Sequence, residues 1–235
     1  MNRIKWTSLV GAVVLLMSAW TTQLMAGSFG IGITALGVVA ESEGTETLKT
    51  TSVKSSKQGV NGVGYVPAGY IQYTFGDRSN GFVIGVEKIP GSTTLGEKET
   101  NRIDYVAGST GGGAYSGLGP GVKQIAKAKI DNHIGAYIET PAFLGMYLKA
   151  GVSQVDLTTE ENLGTGAAYG NDTMNGFTYG IGFKGTADNG IHVKFAAEIT
   201  DYDSVSLTST GSDAASTINA DVMTYAARLS IGYNF

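Results

Sequence analysis

Several features that are common in other proteins are absent or scarce in this chain of 235 residues. It has no cysteine, which excludes a disulfide scaffold and a zinc ribbon. Charged residues make up 15% of the chain, against about 25% in an ordinary domain. Because 12 Tyr, 8 Phe and 2 Trp accompany this low charge, the composition argues against disorder. The net charge of −4 argues against nucleic acid, so no such partner is predicted.

Long apolar runs are also scarce, and the longest lies near the N-terminus. Two basic residues precede an almost wholly apolar run over residues 9–19, and Ala26 offers a small residue for cleavage. This order predicts a secretory signal peptide over residues 1–26 and a mature domain over residues 27–235. The alternative is a permanent membrane helix, but the run is shorter than the ~20 residues that a bilayer requires. Elsewhere no apolar run is long enough for a spanning helix.

In the mature chain, apolar residues recur at every second position. Val193, Phe195 and Ala197, for example, alternate with the more polar face that carries Lys194 and Glu198. A period of two predicts β-strands rather than helices. The pattern occurs in eight segments, at residues 29–34, 70–75, 82–87, 126–139, 144–153, 177–184, 191–200 and 223–235.

Short and long connections alternate between these segments. The short links span residues 76–80, 140–142 and 186–190, and they carry Gly, Asn, Asp or Pro, which favour turns. The long polar connections span residues 42–62, 91–122, 157–173 and 204–220. This alternation predicts an all-β fold, an eight-stranded antiparallel transmembrane up-and-down β-barrel with both termini beside the short turns.

The cost of placing charge in lipid decides which strand face points outward. In the segment over residues 126–139, Lys127 and Lys129 lie on the face opposite to Ile134 and Ile138. A lipid-facing lysine near the midplane costs ~2–4 kcal/mol, so we expect the apolar face outside and the charged face in the lumen. Asn132 falls on the expected lipid face and fits poorly there. A soluble lipid-binding barrel, with the apolar face inside, is an open alternative.

The C-terminus carries the most specific mark. The chain ends at Phe235, and Tyr233, Ile231 and Leu229 stand at every second position before it. With the predicted signal peptide and strands, this pattern resembles the OmpA/OmpX-like family of small eight-stranded bacterial outer-membrane β-barrels. The resemblance implies an outer-membrane location, contact with outer-membrane lipid and lipopolysaccharide, and an assembly machinery that reads the C-terminal strand ending in Phe235. It leaves the function open, because such barrels include anchors, adhesins, narrow pores and lipid enzymes.

Charged and polar side chains are predicted to fill the lumen, since an eight-stranded barrel is only wide enough for side chains. The expected lumen residues are Glu87, Asp131, Glu139, Glu198, Lys127, Lys129, Lys149, Lys184, Lys194, Arg228, Tyr70, Gln72, Tyr147, Tyr202, His133 and His192. Buried charges must pair, which predicts a closed network and a structural or surface-interaction role, with possible extracellular ligands held by the four long connections. The alternative is a narrow porin-like channel with a weak preference for anions, because six basic residues face four acidic ones in this set.

No enzyme, catalytic residue, cofactor or metal is predicted. His133 and Asp131 form a candidate dyad on one strand face. The spacing of the sequence does not place a serine nucleophile next to this dyad. Acidic residues in the third long connection, including Asp156, Glu160, Glu161 and Asp172, suggest either a solvated face or divalent-cation bridges to lipopolysaccharide phosphates. Residues 102–107 are expected to be loop structure.

Overall fold

The computed structural model describes residues 27–48, 58–102, 122–162, 168–210 and 216–235. The signal peptide proposed for residues 1–26 lies outside these ranges, as do residues 103–107 of the second long connection. Within the described ranges no helix is long and apolar enough to cross a membrane.

In the part of the chain that the structure describes, ten strands make up the sheet. They are β1 (Gly27–Leu48), β2 (Gln58–Phe75), β3 (Phe82–Ile89), β4 (Thr93–Arg102), β5 (Val122–Glu139), β6 (Met146–Asn162), β7 (Asp172–Thr186), β8 (Ile191–Tyr202), β9 (Val205–Thr208) and β10 (Ser216–Asn234). Eight of them close an antiparallel ring in the order β1-β2-β3-β5-β6-β7-β8-β10, and β10 pairs back to β1. Strand β4 continues β3 along β5, and β9 continues β8 along β10. The predicted eight-stranded barrel is therefore confirmed.

The strands are strongly tilted relative to the barrel axis. Starting at Ile31 and stepping from partner to partner around the ring leads back to β1 at Glu41, ten residues further on. The partners on this path are Ile71, Val86, Ala136, Val152, Phe177, Asp201 and Met223. With ~3.3 Å per residue and ~4.8 Å between eight strands, this stagger corresponds to a tilt of about 40°.

In the described residues, three tight turns, the start of β1 at Gly27 and the C-terminal Phe235 lie at one end of the ring, which we call the turn end; the opposite end is the loop end. Gly76 (φ 78°) and Gly190 (φ 91°) take up left-handed backbone conformations that suit glycine. In the first turn, the Asp77 carboxylate accepts hydrogen bonds from the backbone N–H groups of Ser79 (2.6 Å) and Asn80 (3.2 Å). The short links occur where the sequence predicts them.

The strands reach further towards the loop end than the sequence indicates. Strand β1 continues to Leu48 and β2 begins at Gln58, so both extend into the predicted connection over residues 42–62. Strand β4 likewise occupies part of residues 91–122. The expectation of long polar connections was wrong for these stretches, because they belong to paired strands.

The outward face of the turn-end half is an apolar belt. Phe177, Phe195 and Phe183 point outward with 69%, 54% and 57% of their surface exposed. The alternate residues, such as Lys194 and Glu198, point inward and are buried. The predicted face assignment is confirmed in this half, and the soluble barrel with an apolar interior is excluded here.

In the loop-end half the polarity of the two faces is reversed. Along β1 the inward positions change from Thr34 to Leu36, Val38 and Ala40, while the outward side continues to Glu41. From Glu41 upward the outward face meets water, so the apolar residues at that height are buried inside by the hydrophobic effect. Leu36 and Val38 lie lower, at the height of the outward Tyr65 and Val63 of β2, where the apolar belt ends. The sequence analysis missed this reversal.

A β-bulge in β5 corrects the predicted position of two lysines. The pairing of β5 with β6 shifts between Asp131 and Ile134, and Asn132 has a φ of 52°. The extra residue exchanges the two faces of the strand on either side of the bulge. Lys127 and Lys129 therefore lie outside the barrel, where both pair with Glu160, and not in the lumen as predicted. The same bulge explains the poor fit of Asn132 to a regular lipid face.

Candidate functional site

The lumen of the turn-end half contains a network of buried ion pairs. At its centre, the Lys194 ammonium lies 2.7 and 2.9 Å from the two oxygens of Glu139 and donates a further hydrogen bond to Gln72 (2.6 Å). Lys184 lies 3.8 Å from the same carboxylate. These side chains come from β2, β5, β7 and β8, so one cluster ties together strands on opposite sides of the ring.

A second cluster lies directly above the first, towards the loop end. Arg228 Nη2 is 2.7 Å from Glu87, and its Nε is 3.2 Å from Glu198. Lys149 contacts the same two carboxylates, at 2.8 Å from Glu198 and 3.8 Å from Glu87. Each charge is thus shared between two partners, which offsets the large cost of removing it from water.

The network is close to electrically balanced. Four cations (Lys149, Lys184, Lys194, Arg228) face three carboxylates (Glu87, Glu139, Glu198) in these two clusters. The predicted excess of six basic over four acidic residues was wrong, because the bulge in β5 moves two lysines outside. The basis for an anion preference is removed with it.

Tyrosine rings complete the packing of the charges. The Lys149 ammonium lies 4.5 Å from the centroid of the Tyr137 ring, and Lys194 lies 5.5 Å from that of Tyr70, both within the range of cation–π attraction. Inward glycines leave room for these rings: a Cβ at Gly85 would overlap Tyr137, and one at Gly232 would overlap Tyr70. Part of the high glycine content of the chain is therefore a packing requirement of the lumen.

Neutral hydrogen bonds close the network towards the turn end. The Tyr70 hydroxyl lies 2.6 Å from His192 Nε2, and Gln72 Nε2 donates to Asn234 (3.3 Å). His192, predicted as a lumen residue, is 2% exposed and is confirmed in that place.

Above the two clusters lies a small cavity of about 60 Å³. Its polar lining includes His133, Thr178, Thr200 and Thr224, and its floor is formed by Glu87, Glu198 and Arg228. Its apolar lining includes Leu36, Val38, Val66 and Ile89. His133 Nδ1 is buried without a hydrogen-bond partner. The cavity therefore has a polar and an apolar side.

A cluster of buried apolar side chains occupies the lumen above the cavity. Its members are Ala40, Leu95, Val155, Leu157, Met174, Tyr202, Val205, Leu207 and Val222. Met174 and Val155 are each 1% exposed, so the cluster is closely packed. The sequence did not predict these residues as a group, although residues 36, 38 and 40 of β1 are apolar on the same face.

The candidate dyad of His133 and Asp131 is not formed as predicted. Both residues line the cavity, but Asp131 accepts a hydrogen bond from Thr158 Oγ1 (3.4 Å) and His133 Nδ1 has no partner. Of the acidic loop-end residues, Asp156 accepts hydrogen bonds from Asn132 Nδ2 (3.0 Å) and Thr173 Oγ1 (3.3 Å). In the described part of the chain, no three His, Asp or Glu side chains are grouped as metal ligands.

Exposed ion pairs lie on the outside of the loop-end half. Lys129 donates a hydrogen bond to Glu160, and Lys127 lies 3.8 Å from the same carboxylate. The hydrogen bond from Lys129 is the main reason that the pKa of Glu160 lies below its usual value.

No family model matches the chain, and no curated protein matches it in sequence. Solved structures do match in fold. The outer-membrane protease OmpT from Escherichia coli aligns with a TM-score of 0.50 and 7% identity, covering 92% of this chain and 100% of that one. The outer-membrane protein OprG from Pseudomonas aeruginosa aligns with a TM-score of 0.46 and 10% identity, over 90% and 97% of the two chains. The attachment invasion locus protein Ail of Yersinia pestis aligns with a TM-score of 0.36 and 13% identity, over 88% and 99%.

At these identities the likeness concerns the fold alone. The closed antiparallel ring, the outward apolar belt and the polar lumen behind it are the features of a transmembrane β-barrel. They make this chain a transmembrane β-barrel, and its fold is shared with a solved outer-membrane protein.

Proposed function

We propose that this protein is a closed outer-membrane barrel with a structural or surface-interaction role, in which the strand extensions and loops at the loop end form the presented surface. The observation that carries this proposal is the presence of two different barriers in series along the lumen. The ion-pair network fills the turn-end half, and the apolar cluster fills the loop-end half.

Each barrier opposes the passage of ions for its own reason. In the network, an ion that passes must displace paired charges, and leaving a buried charge unpaired is costly. In the apolar cluster, an ion would lose its water without gaining any polar partner. A narrow channel for small solutes, the competing function, is supported only by the cavity between the barriers, which is bounded by both.

The partners follow from the surfaces that the barrel presents. The outward belt contacts outer-membrane lipid, and the loop end, with its lysine and carboxylate pairs, meets lipopolysaccharide and extracellular ligands. Phe235 is 66% exposed at the turn end, and its backbone N–H donates to the Phe29 carbonyl (2.7 Å). An exposed terminal aromatic on the last strand suits recognition by an assembly machinery.

We also propose that the barrel is not an enzyme. His192 Nε2 is engaged by the Tyr70 hydroxyl near the turn end, and His133 has no serine or cysteine nucleophile among its hydrogen-bond partners in the described residues. A nucleophilic mechanism needs such a contact.

Planar-bilayer recording of the mature protein tests the proposal. Wild-type protein should give no steady unitary openings. Arg228→Gln should weaken the network and lower thermal stability while the apolar cluster keeps the barrel silent. Lys129→Gln, outside the lumen, is the matched control and should change neither property. Reproducible openings of the wild type, altered by Arg228→Gln, would instead establish the narrow channel.

Labelling of intact cells tests the surface role separately. The chain has no cysteine, so a single cysteine at Ser206, exposed on β9, reports on the loop end alone. A membrane-impermeant maleimide should label Ser206→Cys in intact cells and leave Asp77→Cys, in a turn at the opposite end, unlabelled. The reverse pattern would contradict the proposed orientation.

A further inference from the structure

Among the described strands, the barrel wall lacks a hydrogen-bonded ladder between β2 and β4 and between β7 and β9, and of these two seams only the one between β2 and β4 lines the cavity. Strands β2 and β3 pair over seven positions, from Phe75 with Phe82 to Gly69 with Lys88. Beyond Gly69, β2 continues along β1, but the pairings of the described strands include none between β2 and β4. Pro67 in β2 and Pro90 between β3 and β4 stand at this break, and neither has a backbone N–H to donate.

The seam is closed by contact rather than by hydrogen bonds. A Cβ added at Gly64 would lie 3.2 Å from the Cβ of Thr93, and one at Gly62 would overlap the Thr94 carbonyl. Strands β2 and β4 therefore approach so closely here that only glycine hydrogens and small side chains fit between them. Parting them breaks van der Waals contacts but none of the ladder bonds that hold the other seams.

The two sides of this seam face different surroundings. On the outside, Tyr65 and Val63 of β2 are 87% and 68% exposed and belong to the apolar surface of the barrel. On the inside, Val66, Gly91 and Thr93 line the cavity. The seam is therefore the wall between the cavity and the lipid on the loop-end side of the belt.

Packed side chains border the cavity below and above. Its floor is the ion-pair cluster of Arg228, Glu87 and Glu198, and its roof begins at the apolar cluster with Val155 and Tyr202. Of the walls that line the cavity, only this seam lacks a ladder among the described strands, because the other break, between β7 and β9, lies beside the apolar cluster. A molecule that enters the cavity through the wall without breaking a ladder therefore passes through the seam between β2 and β4.

The cavity lining has the chemistry of a site for a small amphipathic molecule. Next to the seam it is apolar, with Val66, Ile89 and Leu36. On the far side it offers threonine hydroxyls, and beside Ile89 it offers His133, whose Nδ1 is buried without a partner. A buried polar atom without a partner favours a ligand that supplies a hydrogen bond. A volume of about 60 Å³ limits that ligand to a few non-hydrogen atoms unless the seam yields.

We propose that the cavity binds a small neutral molecule with a short apolar body and a hydroxyl head, and that this molecule arrives from the outer-leaflet lipid through the seam between β2 and β4. The hydroxyl reaches the side of His133, and the apolar body contacts Val66 and Ile89. This site does not depend on the proposed closure of the lumen along the barrel axis. A barrel that conducts no ions can bind such a molecule, and a barrel that conducts ions can fail to bind it.

Methyl NMR of the mature barrel in deuterated lipid nanodiscs tests the site, with 1-propanol as the probe. Methyl groups of Ile89 and Val66 should show nuclear Overhauser effects to the propyl chain that saturate as propanol is added. Ile89→Trp, which fills the cavity, should abolish the effects at Val66. Val86→Trp, on the same strand but facing lipid, is the matched control and should preserve them. Effects that rise linearly without saturation, or that persist in Ile89→Trp, would overturn the site.

A reversible cross-link tests the route. In a chain without cysteine, Gly64→Cys with Thr93→Cys places two Cβ atoms 3.2 Å apart, so the strands need to part by only a few tenths of an ångström to reach the ~3.5–4.5 Å of a disulfide. Oxidation should slow the exchange of propanol at the Ile89 and Val66 methyls about tenfold or more, by closing the path without filling the cavity. Reduction of the same sample should restore the wild-type rate. Equal exchange rates in the oxidised and reduced forms would overturn the seam as the route and assign access to the loop end.

Discussion

The two halves of the lumen are stabilised by opposite kinds of side chain, although the same strands run through both. In the turn-end half, Glu139 and Lys194 are paired inside while phenylalanines face outward. In the loop-end half, Met174 and Leu157 are packed inside while Glu41 and Glu160 face outward. The difference shows that the medium outside the barrel wall determines whether the inward side chains are polar or apolar. Where lipid lies outside, burying an apolar side chain in the lumen gains no hydrophobic free energy, so the interior there is polar. Where water lies outside, the same burial is favourable and the interior is an apolar core.

The largest expected effect is the loss of one carboxylate from the ion-pair network. Glu139→Gln leaves Lys194 and Lys184 without their shared anion, and an uncompensated buried charge costs about 3–5 kcal/mol. Urea unfolding of the barrel in lipid vesicles measures this free energy. Glu160→Gln, an exposed carboxylate on the same barrel, should change it little. Equal effects of the two variants would mean that the network does not stabilise the turn-end half.

A cavity in the apolar cluster should come next. Met174→Ala removes a side chain that is 1% exposed, and such truncations cost about 2–5 kcal/mol. The comparison variant is Leu148→Ala on the lipid face, where acyl chains fill the space that is left and the unfolding free energy should fall less. If Leu148→Ala were the more damaging change, the loop-end half would not be a dry core.

The bulge in β5 offers a smaller test of how the halves are joined. Asn132→Val forces a β-branched residue into the left-handed region, which costs about 1–2 kcal/mol. Asn132→Gly also removes the amide but accepts this backbone, so it should retain more stability. The same unfolding assay compares them, and a valine variant as stable as the glycine variant would contradict a strained Asn132.

The smallest effect concerns an exposed pair on the outside of the loop-end half. Because Lys129 lowers the pKa of Glu160, this carboxylate stays ionised to lower pH than an isolated one. The pair is present above that pKa and is lost as the pH falls through it. In Lys129→Gln, a carboxyl NMR titration of Glu160 should show a higher midpoint than in the wild type. An unchanged midpoint would remove Lys129 as the cause.

The sequence predicts the architecture well because the architecture depends on patterns that are local. Alternation over segments such as 191–200, and turn residues such as Gly76, report strands and turns directly. Phe195 and Lys194 are correctly assigned to opposite faces, since charge in lipid is costly.

The missed features depend on where a strand lies relative to the membrane and on single backbone angles. Thr34 and Ala40 share one face of β1, and the height of the belt explains why the inward residue is polar at the first position and apolar at the second. The bulge rests on one residue with positive φ, so Lys127 and Lys129 were assigned to the wrong side. The misfit of Asn132 on the expected lipid face was the one signal of it.

The closing ladder between β1 and β10 has a consequence for how this barrel is made. It joins Gly30 to Asn234 and continues through nineteen positions to Leu48 with Ser216, whereas the neighbouring strands β2 and β3 share only seven. The most extensive pairing thus connects the segments that are furthest apart along the polypeptide. Such distant pairing is slow to nucleate, so until synthesis has delivered the final strand, β1 remains an open edge and the cylinder stays an unfinished sheet.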